Sequence, residues 1–309
     1  MQLIRGIGNI RPEHHGCVLT IGKFDGVHLG HQAVCKNLIY KAKQLKLPSS
    51  VMVFEPQPEE FFAPEKAPPR LSSLRDKYSQ LKKLGIDRLI CIRFEAGFAK
   101  QSPTHFVEEL LKNKLGTKFL VVGDDFKFGF QRKGDFAFLQ RISSKCGFEV
   151  VNTKSYQMND DRVSSTLIRQ ALRDGDFSAA KNMLGRNFSL FGRVVHGEKN
   201  GRTIGFPTAN IKIKSSKLPI SGVFAVKAYM NGQEYKGVAN LGYRPTLAGQ
   251  QLQLETHLFA FSGNLYGCVL TVHFVDKIRD EKRFESLDEL KQQIKKDALM
   301  AKTILSEDK

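Results

Sequence analysis

Thr20-Ile21-Gly22-Lys23-Phe24-Asp25-Gly26-Val27-His28-Leu29-Gly30-His31 decides the fold of the first half of the chain. Just before and into it, Cys17-Val18-Leu19-Thr20-Ile21 is short and apolar, the pattern of a buried strand. Gly22, Gly26 and Gly30 make a turn. Val34, Leu38, Ala42 and Leu45 then recur at intervals of three and four, the period of a helix. Strand, glycine turn and helix start bind phosphate, because free backbone N–H groups and the positive end of the helix dipole both face the anion. His28 and His31 can add protons, and with them positive charge, where a phosphate transition state gains negative charge. A histidine is more often a partly buried polar residue, and a pair spaced three apart can begin a metal site. Zinc, however, takes three or four ligands, and no cysteine or carboxylate of suitable spacing lies nearby.

Outward from this segment, the first half alternates strands and helices. Candidate strands are 17–22, 50–54, 88–93, 118–122 and 148–151. Candidate helices are 29–46, 73–84, 103–114, 134–145 and 165–183. Such βα alternation predicts α/β architecture, a Rossmann-like, doubly wound parallel sheet whose ligands bind beyond the carboxyl ends of the strands. The pattern changes near residue 185. Short strand-like runs follow at 188–195, 222–230, 234–240, 252–261 and 265–275, with the hairpin signal Asn231-Gly232 between two of them. These predict an antiparallel β-barrel, closed by an amphipathic helix at about 286–305 bearing Leu287, Leu290, Ile294, Ala298, Ala301 and Leu305. The expected domains are 1–185 and 186–309.

The chain has 309 residues and carries 48 Lys+Arg against 31 Asp+Glu, a formal charge of +17. The excess is spread over both halves. It suits anionic ligands such as nucleotides, and equally a plain basic surface. Nucleic-acid binding by the barrel would explain the charge only, since no motif of stacked aromatics and basic residues supports it. The cysteines, Cys17, Cys35, Cys91, Cys146 and Cys268, are odd in number and far apart, which predicts reduced thiols and a cytoplasmic protein. The first residues carry charge and proline too early for a signal sequence, and no apolar stretch reaches membrane-spanning length.

Five further segments can carry chemistry. Phe54-Glu55-Pro56-Gln57-Pro58-Glu59-Glu60-Phe61-Phe62 joins an extended loop to phenylalanines that could face a flat ring. Gly123-Asp124-Asp125 ends a strand; its carboxylates could meet ribose hydroxyls or magnesium, or form a solvated acidic turn. Ser164-Ser165-Thr166-Leu167-Ile168-Arg169 opens a helix, where the hydroxyls serve as caps or hold a triphosphate together with Arg169. Pro207-Thr208-Ala209-Asn210 places two neutral oxygens on one side of an extended segment, suited to magnesium already carried by nucleotide phosphates. Glu255 interrupts an apolar strand, either as a general base or on a solvated face.

Taken together, these segments resemble the bacterial bifunctional riboflavin kinase/FAD synthetase family over about residues 15–300. His28-Leu29-Gly30-His31 is similar to the H-x-G-H motif of nucleotidyltransferases. Pro207-Thr208-Ala209-Asn210 in its glycine-rich setting is similar to the flavokinase motif. Asn240-Leu241-Gly242-Tyr243-Arg244-Pro245-Thr246 and Arg279-Asp280-Glu281-Lys282-Arg283-Phe284 agree as well. Leu167 and Lys127 stand where arginine is common in the family, and Ala260 and Ser262 where acidic residues are frequent. The resemblance implies two ATP-dependent steps, riboflavin to FMN in the second domain and FMN to FAD, with release of pyrophosphate, in the first. It implies ATP and Mg2+ as cofactors, small-molecule partners rather than nucleic acid or membrane, and a monomer or weak homo-oligomer.

It also implies roles for residues. His28 and His31 would stabilise phosphate charge, and Glu255 would act as base in the kinase step. Gly22, Phe24, Asp25, Gly26, Gly30, Gly123, Asp125, Ser164, Thr166, Arg169, Gly205, Thr208 and Asn210 would meet the nucleotide. Thr208 and Asn210 would hold magnesium. Phe62, Phe106 and Phe128 would sandwich the isoalloxazine during adenylylation, and Arg279, Glu281 and Phe284 would hold the flavin of the kinase step. A different nucleotidyltransferase with a regulatory barrel explains residues 20–31 but not Pro207–Asn210 or Glu255.

Overall fold

The computed structural model describes residues 1–308 except 154–156, 159, 160, 197–205, 214, 216, 247 and 248; for 157, 158, 161, 162, 244–246 and 249–251 it describes backbone only. The chain divides into two compact units. One comprises Met1–Pro68 and Ser72–Ser164, the other Pro69–Leu71 and Ser165–Lys309.

The first unit is built on six parallel strands, β1 (Gln2–Arg5), β2 (Cys17–Ile21), β3 (Ser49–Glu55), β4 (Arg88–Arg93), β5 (Thr117–Gly123) and β6 (Glu149–Thr153), in the order β1-β4-β3-β2-β5-β6. Alternate residues serve opposite faces. Val18, Val51 and Leu89 enter one core with Leu38 of α1 (Leu29–Leu45) and Leu81 of α3 (Leu74–Leu84). Leu19, Met52 and Ile90 enter another, with Leu110 and Leu111 from the π-type helix Phe106–Lys114. Apolar side chains on both faces explain why these strands read as unbroken apolar runs. From β2 the chain proceeds outward to β3 and β4, then returns to place β5 on the other side of β2. That reversal opens the ligand crevice of a doubly wound sheet between the ends of β2 and β5.

The smaller helices of this unit are α2 (Pro58–Phe62), α4 (Ala96–Ala99), α5 (Pro103–His105) and α6 (Phe136–Cys146). β7 (Gln157–Met158) and β8 (Asp161–Arg162) form a short antiparallel pair. The sequence gives no separate signal for β1, an edge strand with one buried residue in four.

In the second unit, β9 (Ser189–Val195), β10 (Ala209–Lys212), β11 (Gly222–Met230), β12 (Gln233–Thr246), β13 (Gly249–Leu258) and β14 (Val269–Arg279) close a barrel in the order β10-β13-β12-β11-β14-β9. Asn231 and Gly232, with φ of 50° and 83°, turn β11 into β12 as the hairpin signal predicts. Leu254, Phe224, Val226, Leu241 and Phe274 fill the interior. The expected helix 165–183 is two helices, α7 (Ser165–Asp174) and α8 (Phe177–Leu184), broken where Gly175 takes φ of 80° and Asp176 caps α8. Both pack with the barrel core through Ile168, Leu172, Phe177 and Leu184. The contacts therefore group residues 165–184 with the barrel, ahead of the change in sequence pattern near 185.

α9 (Leu287–Glu307) covers the outer face of β11 and β12 with Ala301 and Leu305. Its stripe begins later than the spacing suggests, because Leu287 is 68% exposed. Among the described residues no helix is long and apolar enough to cross a membrane. All five cysteines are free thiols, and burial pushes Cys17 up to about 11 and Cys35 to about 12.

Candidate active sites

After β2 the backbone turns through a strained conformation. Phe24, Gly26 and Val27 have φ of 48°, 82° and 41°. Glycine adopts such values freely; Phe24 and Val27 do so at about 1–3 kcal/mol each. Burial of both side chains holds them there. So does Asp25, 1% exposed, whose Oδ1 accepts hydrogen bonds from the Ser72 N–H at 3.0 Å and the Ser72 hydroxyl at 3.1 Å. The Gly26 N–H donates to Ser72 Oγ at 2.8 Å. Asp25 Oδ1 thus fastens the phosphate turn to the loop before α3.

His28 is the N-cap of α1, its Nδ1 accepting from the His31 N–H at 3.4 Å. In the neutral ring the proton then sits on Nε2. The imidazoles of His28 and His31 stack with centroids 3.7 Å apart, and Phe24 packs 4.8 Å from His31. His31 Nδ1 is buried without a hydrogen-bond partner. Burial, then the neighbouring charges of His28 and Lys77, hold the His31 pKa well below its ordinary 6.5. Here the expectation of two charge-adding imidazoles narrows, because the His31 ring is neutral at neutral pH. Lys77, on α3, is 0% exposed, a placement with no local signal, since a lysine in a helix normally faces water.

Gly30 is buried within the first turn of α1, and Gly22 lies at the mouth of the turn, 3.2 Å from the Phe24 ring at its would-be Cβ. Across the crevice β5 pairs with β2, Ile21 opposite Val122, so Gly123 and the exposed Asp125 leave the sheet beside the phosphate turn.

A continuous chain of aromatic rings occupies the other face. Phe62 meets Phe94 at 5.6 Å, Phe94 meets Phe98 at 5.7 Å, Phe98 meets Phe106 at 6.1 Å and Phe106 meets Phe128 at 5.2 Å. The structure joins Phe62, Phe106 and Phe128 through Phe94 and Phe98, which sequence reading did not single out. Phe62 is 67% exposed, whereas Phe106 and Phe128 lie in the core.

Ser164, the last residue of the first unit, directly precedes α7; in the second unit Thr166 is exposed in the first turn of α7, and Arg169 is buried with its Nε donating to the Pro69 carbonyl at 2.6 Å. On the barrel, Asn210 stands directly opposite Glu255 across β10 and β13, and Asn240 opposite Glu255 across β12. Residues 254, 256 and 258 point into the barrel and are buried, so Glu255 and His257 lie on its outer face. Asn210 is 8% exposed, and its Oδ1 accepts from Gln253 Nε2. Thr208, half-buried, immediately precedes β10. Gly205 lies outside the described residues.

Two neutral oxygens, one of them braced by Gln253, are a fitting partial shell for magnesium, which usually keeps phosphate and water ligands. Among the described residues no group of three His, Cys, Asp or Glu could hold a metal by itself.

Arg279 and Phe284 meet at the end of β14. The Arg279 guanidinium grips Asp297 of α9, Nε to Oδ1 at 2.9 Å and Nη2 to Oδ2 at 2.7 Å, and lies 5.7 Å over the Phe284 ring. Its Nη1 donates to the Asp280 carbonyl at 2.9 Å. Glu281 is exposed, and its carboxylate occupies the space that a side chain at Gly242 would fill. Asp297, 3% exposed, escaped sequence reading because nothing marks a buried carboxylate within a charged helix.

A phosphate turn at the switch point of a doubly wound sheet, joined in one chain to a barrel bearing Thr208, Asn210 and Glu255 on one face, defines a two-domain ATP-dependent transferase. The FAD synthetase family model matches residues 10–167 and the riboflavin kinase model residues 184–305. The chain is 50% identical to a bifunctional riboflavin kinase/FMN adenylyltransferase of Haemophilus influenzae, over 99% of this chain and 100% of that one. It is 48% identical to the protein of that name from Escherichia coli K12, over 98% and 97%. A solved structure titled as a macrolide-efflux protein from Streptococcus pneumoniae shares the fold, with a TM-score of 0.81 and 30% identity over 96% of this chain and 97% of that one. The chain belongs to the bifunctional riboflavin kinase/FMN adenylyltransferase family. ATP and flavins are therefore its substrates.

Proposed function

We propose that the two reactions are divided at about residue 185, with adenylyl transfer carried by residues 1–185 and phosphorylation by 186–309. The observation that supports this reading is that the marked residues of each motif meet in space: His28 stacks on His31, and Asn210 opposes Glu255.

In the kinase step, the ribityl 5′-hydroxyl of riboflavin attacks the γ-phosphorus of ATP, and ADP leaves. Phosphoryl transfer depends on alignment and charge neutralisation more than on covalent chemistry. Glu255 accepts or orients the hydroxyl proton. Thr208 and Asn210 hold phosphate oxygens and Mg2+, with Gly205 in the same glycine-rich segment. Bound magnesium supplies positive charge against the phosphate oxygens. Glu281 and Phe284 face the flavin, while Arg279, braced by Asp297, fixes the loop that carries them.

In the adenylylation step, a phosphate oxygen of FMN attacks the α-phosphorus of ATP, and pyrophosphate leaves. The attacking oxygen is already ionised, so no protein nucleophile is needed. His28 donates through Nε2–H to the phosphates, and neutral His31 shapes and supports it. Gly22, Phe24, Asp25, Gly26 and Gly30 form the turn that receives the nucleotide. Gly123 and Asp125 face its ribose. Ser164, Thr166 and Arg169 receive the pyrophosphate. Phe62 offers the exposed ring for the isoalloxazine, with Phe106 and Phe128 behind it in the aromatic chain.

Incubating the purified chain with riboflavin, ATP and magnesium and separating the flavins tests this reading. FMN and FAD together are expected. FMN alone would remove the adenylylation assignment, and neither product would overturn both.

A further inference from the structure

β10 begins at Ala209, paired with Thr256, and the ladder between β10 and β13 stops there. Thr208 and Pro207 lie beyond that last pair, so no ladder bond of the pair holds them. A side chain takes over. His257, next on β13 after Thr256, places Nδ1 2.8 Å from the Pro207 carbonyl oxygen. A carbonyl only accepts, so Nδ1 carries the proton. The ring is held edge-on by Phe206 at 5.3 Å and Phe259 at 5.8 Å. It shares the outer face of β13 with Glu255, two residues away.

We propose that His257 is a positioning residue for phosphoryl transfer, its Nδ1–H holding the Pro207 carbonyl and thereby setting Thr208 beside Asn210 and Glu255. The proposal rests on the reading that Thr208 and Asn210 hold the phosphates of ATP. His257 itself touches no reacting atom. Its effect falls on ATP and on turnover, and not on riboflavin affinity or on the adenylylation step.

The donor requirement makes the role testable. An asparagine amide nitrogen reaches nearly where Nδ1 lies, a glutamine amide nitrogen nearer the position of Nε2, and phenylalanine keeps a ring without a donor. His257→Phe is expected to lower kcat/KM for ATP in the kinase step roughly tenfold, the scale of one lost positioning hydrogen bond. KM for riboflavin and conversion of supplied FMN to FAD stay at wild-type values, and His257→Asn restores most of the loss. Wild-type kinase kinetics in His257→Phe would overturn the proposal. So would equal losses in His257→Phe and His257→Asn accompanied by weaker riboflavin binding, which mark a merely structural role. If His257→Phe also loses FMN adenylylation, the decision passes to His257→Asn against His257→Gln: a higher kinase kcat/KM in the former supports the proposal, and equal values overturn it. Thr208→Ala separates the two claims. Kinase loss there with a normal His257→Phe overturns only the role of His257, whereas full kinase activity in Thr208→Ala overturns the phosphate-site reading beneath it.

Discussion

The imidazoles of His28 and His31 lie stacked 3.7 Å apart, yet they do different jobs: His28 caps α1, while His31 is buried with Nδ1 unpartnered. Burial foremost, with the charges of His28 and Lys77, keeps the His31 pKa well below 6.5. The unfolded chain binds a proton there near the ordinary value and the folded chain does not. The stability this contributes is present above about pH 6.5 and is lost as pH falls below it toward the folded pKa. Denaturant unfolding of wild type is expected to weaken more than that of His31→Gln between about pH 8 and about pH 5.5. Parallel pH curves for the two proteins would contradict the assignment. By the same argument, Lys77→Met raises the His31 pKa, which an NMR titration of the ring reads directly.

Ser72 holds the phosphate turn through three hydrogen bonds, two to Asp25 and one from Gly26. Ser72→Ala removes the hydroxyl, and with it one bond to Asp25 and the bond from Gly26, while the backbone N–H at position 72 still donates to Asp25, in a turn already strained at Phe24 and Val27. The expected cost is about 1–3 kcal/mol of stability in the first unit, with slower conversion of FMN to FAD and unchanged conversion of riboflavin to FMN. Equal losses in both steps would mean that the turn does not serve adenylylation alone.

Residues 17–31 announced strand, turn and helix because apolar periodicity and glycine spacing are local properties, and the structure places them so. Asn231-Gly232 did the same for its hairpin. Ser72, Lys77, His257 and Asp297 were invisible. Each acts through a partner distant in sequence, and a serine before a helix or a lysine within one looks ordinary until the fold is known. The break between α7 and α8 was missed for another reason: the apolar spacing runs on through Gly175, whose left-handed backbone ends the first helix.

Arg279 and Asp297 form a bidentate pair joining the end of β14 to α9, with the carboxylate 3% exposed. Gln293 adds a hydrogen bond at 2.8 Å. Arg279→Met leaves a buried carboxylate without its cation, at a cost of about 3 kcal/mol in the second unit. Riboflavin KM is expected to rise in the kinase step, because the loop bearing Glu281 and Phe284 loses its anchor. Supplied FMN is still converted to FAD. Unchanged stability and unchanged riboflavin KM would show that the pair anchors nothing of consequence.

The most direct test of the central claim, two chemistries carried by two separate residue sets, is a paired flavin-product assay. His28→Ala with His31→Ala, given riboflavin, ATP and magnesium, is expected to accumulate FMN with FAD formation down by roughly a hundredfold or more. Glu255→Gln is expected to lose FMN formation by about a hundredfold or more while still converting supplied FMN to FAD. Wild-type FAD formation by the double histidine variant, or near-normal FMN formation by Glu255→Gln, would contradict the account.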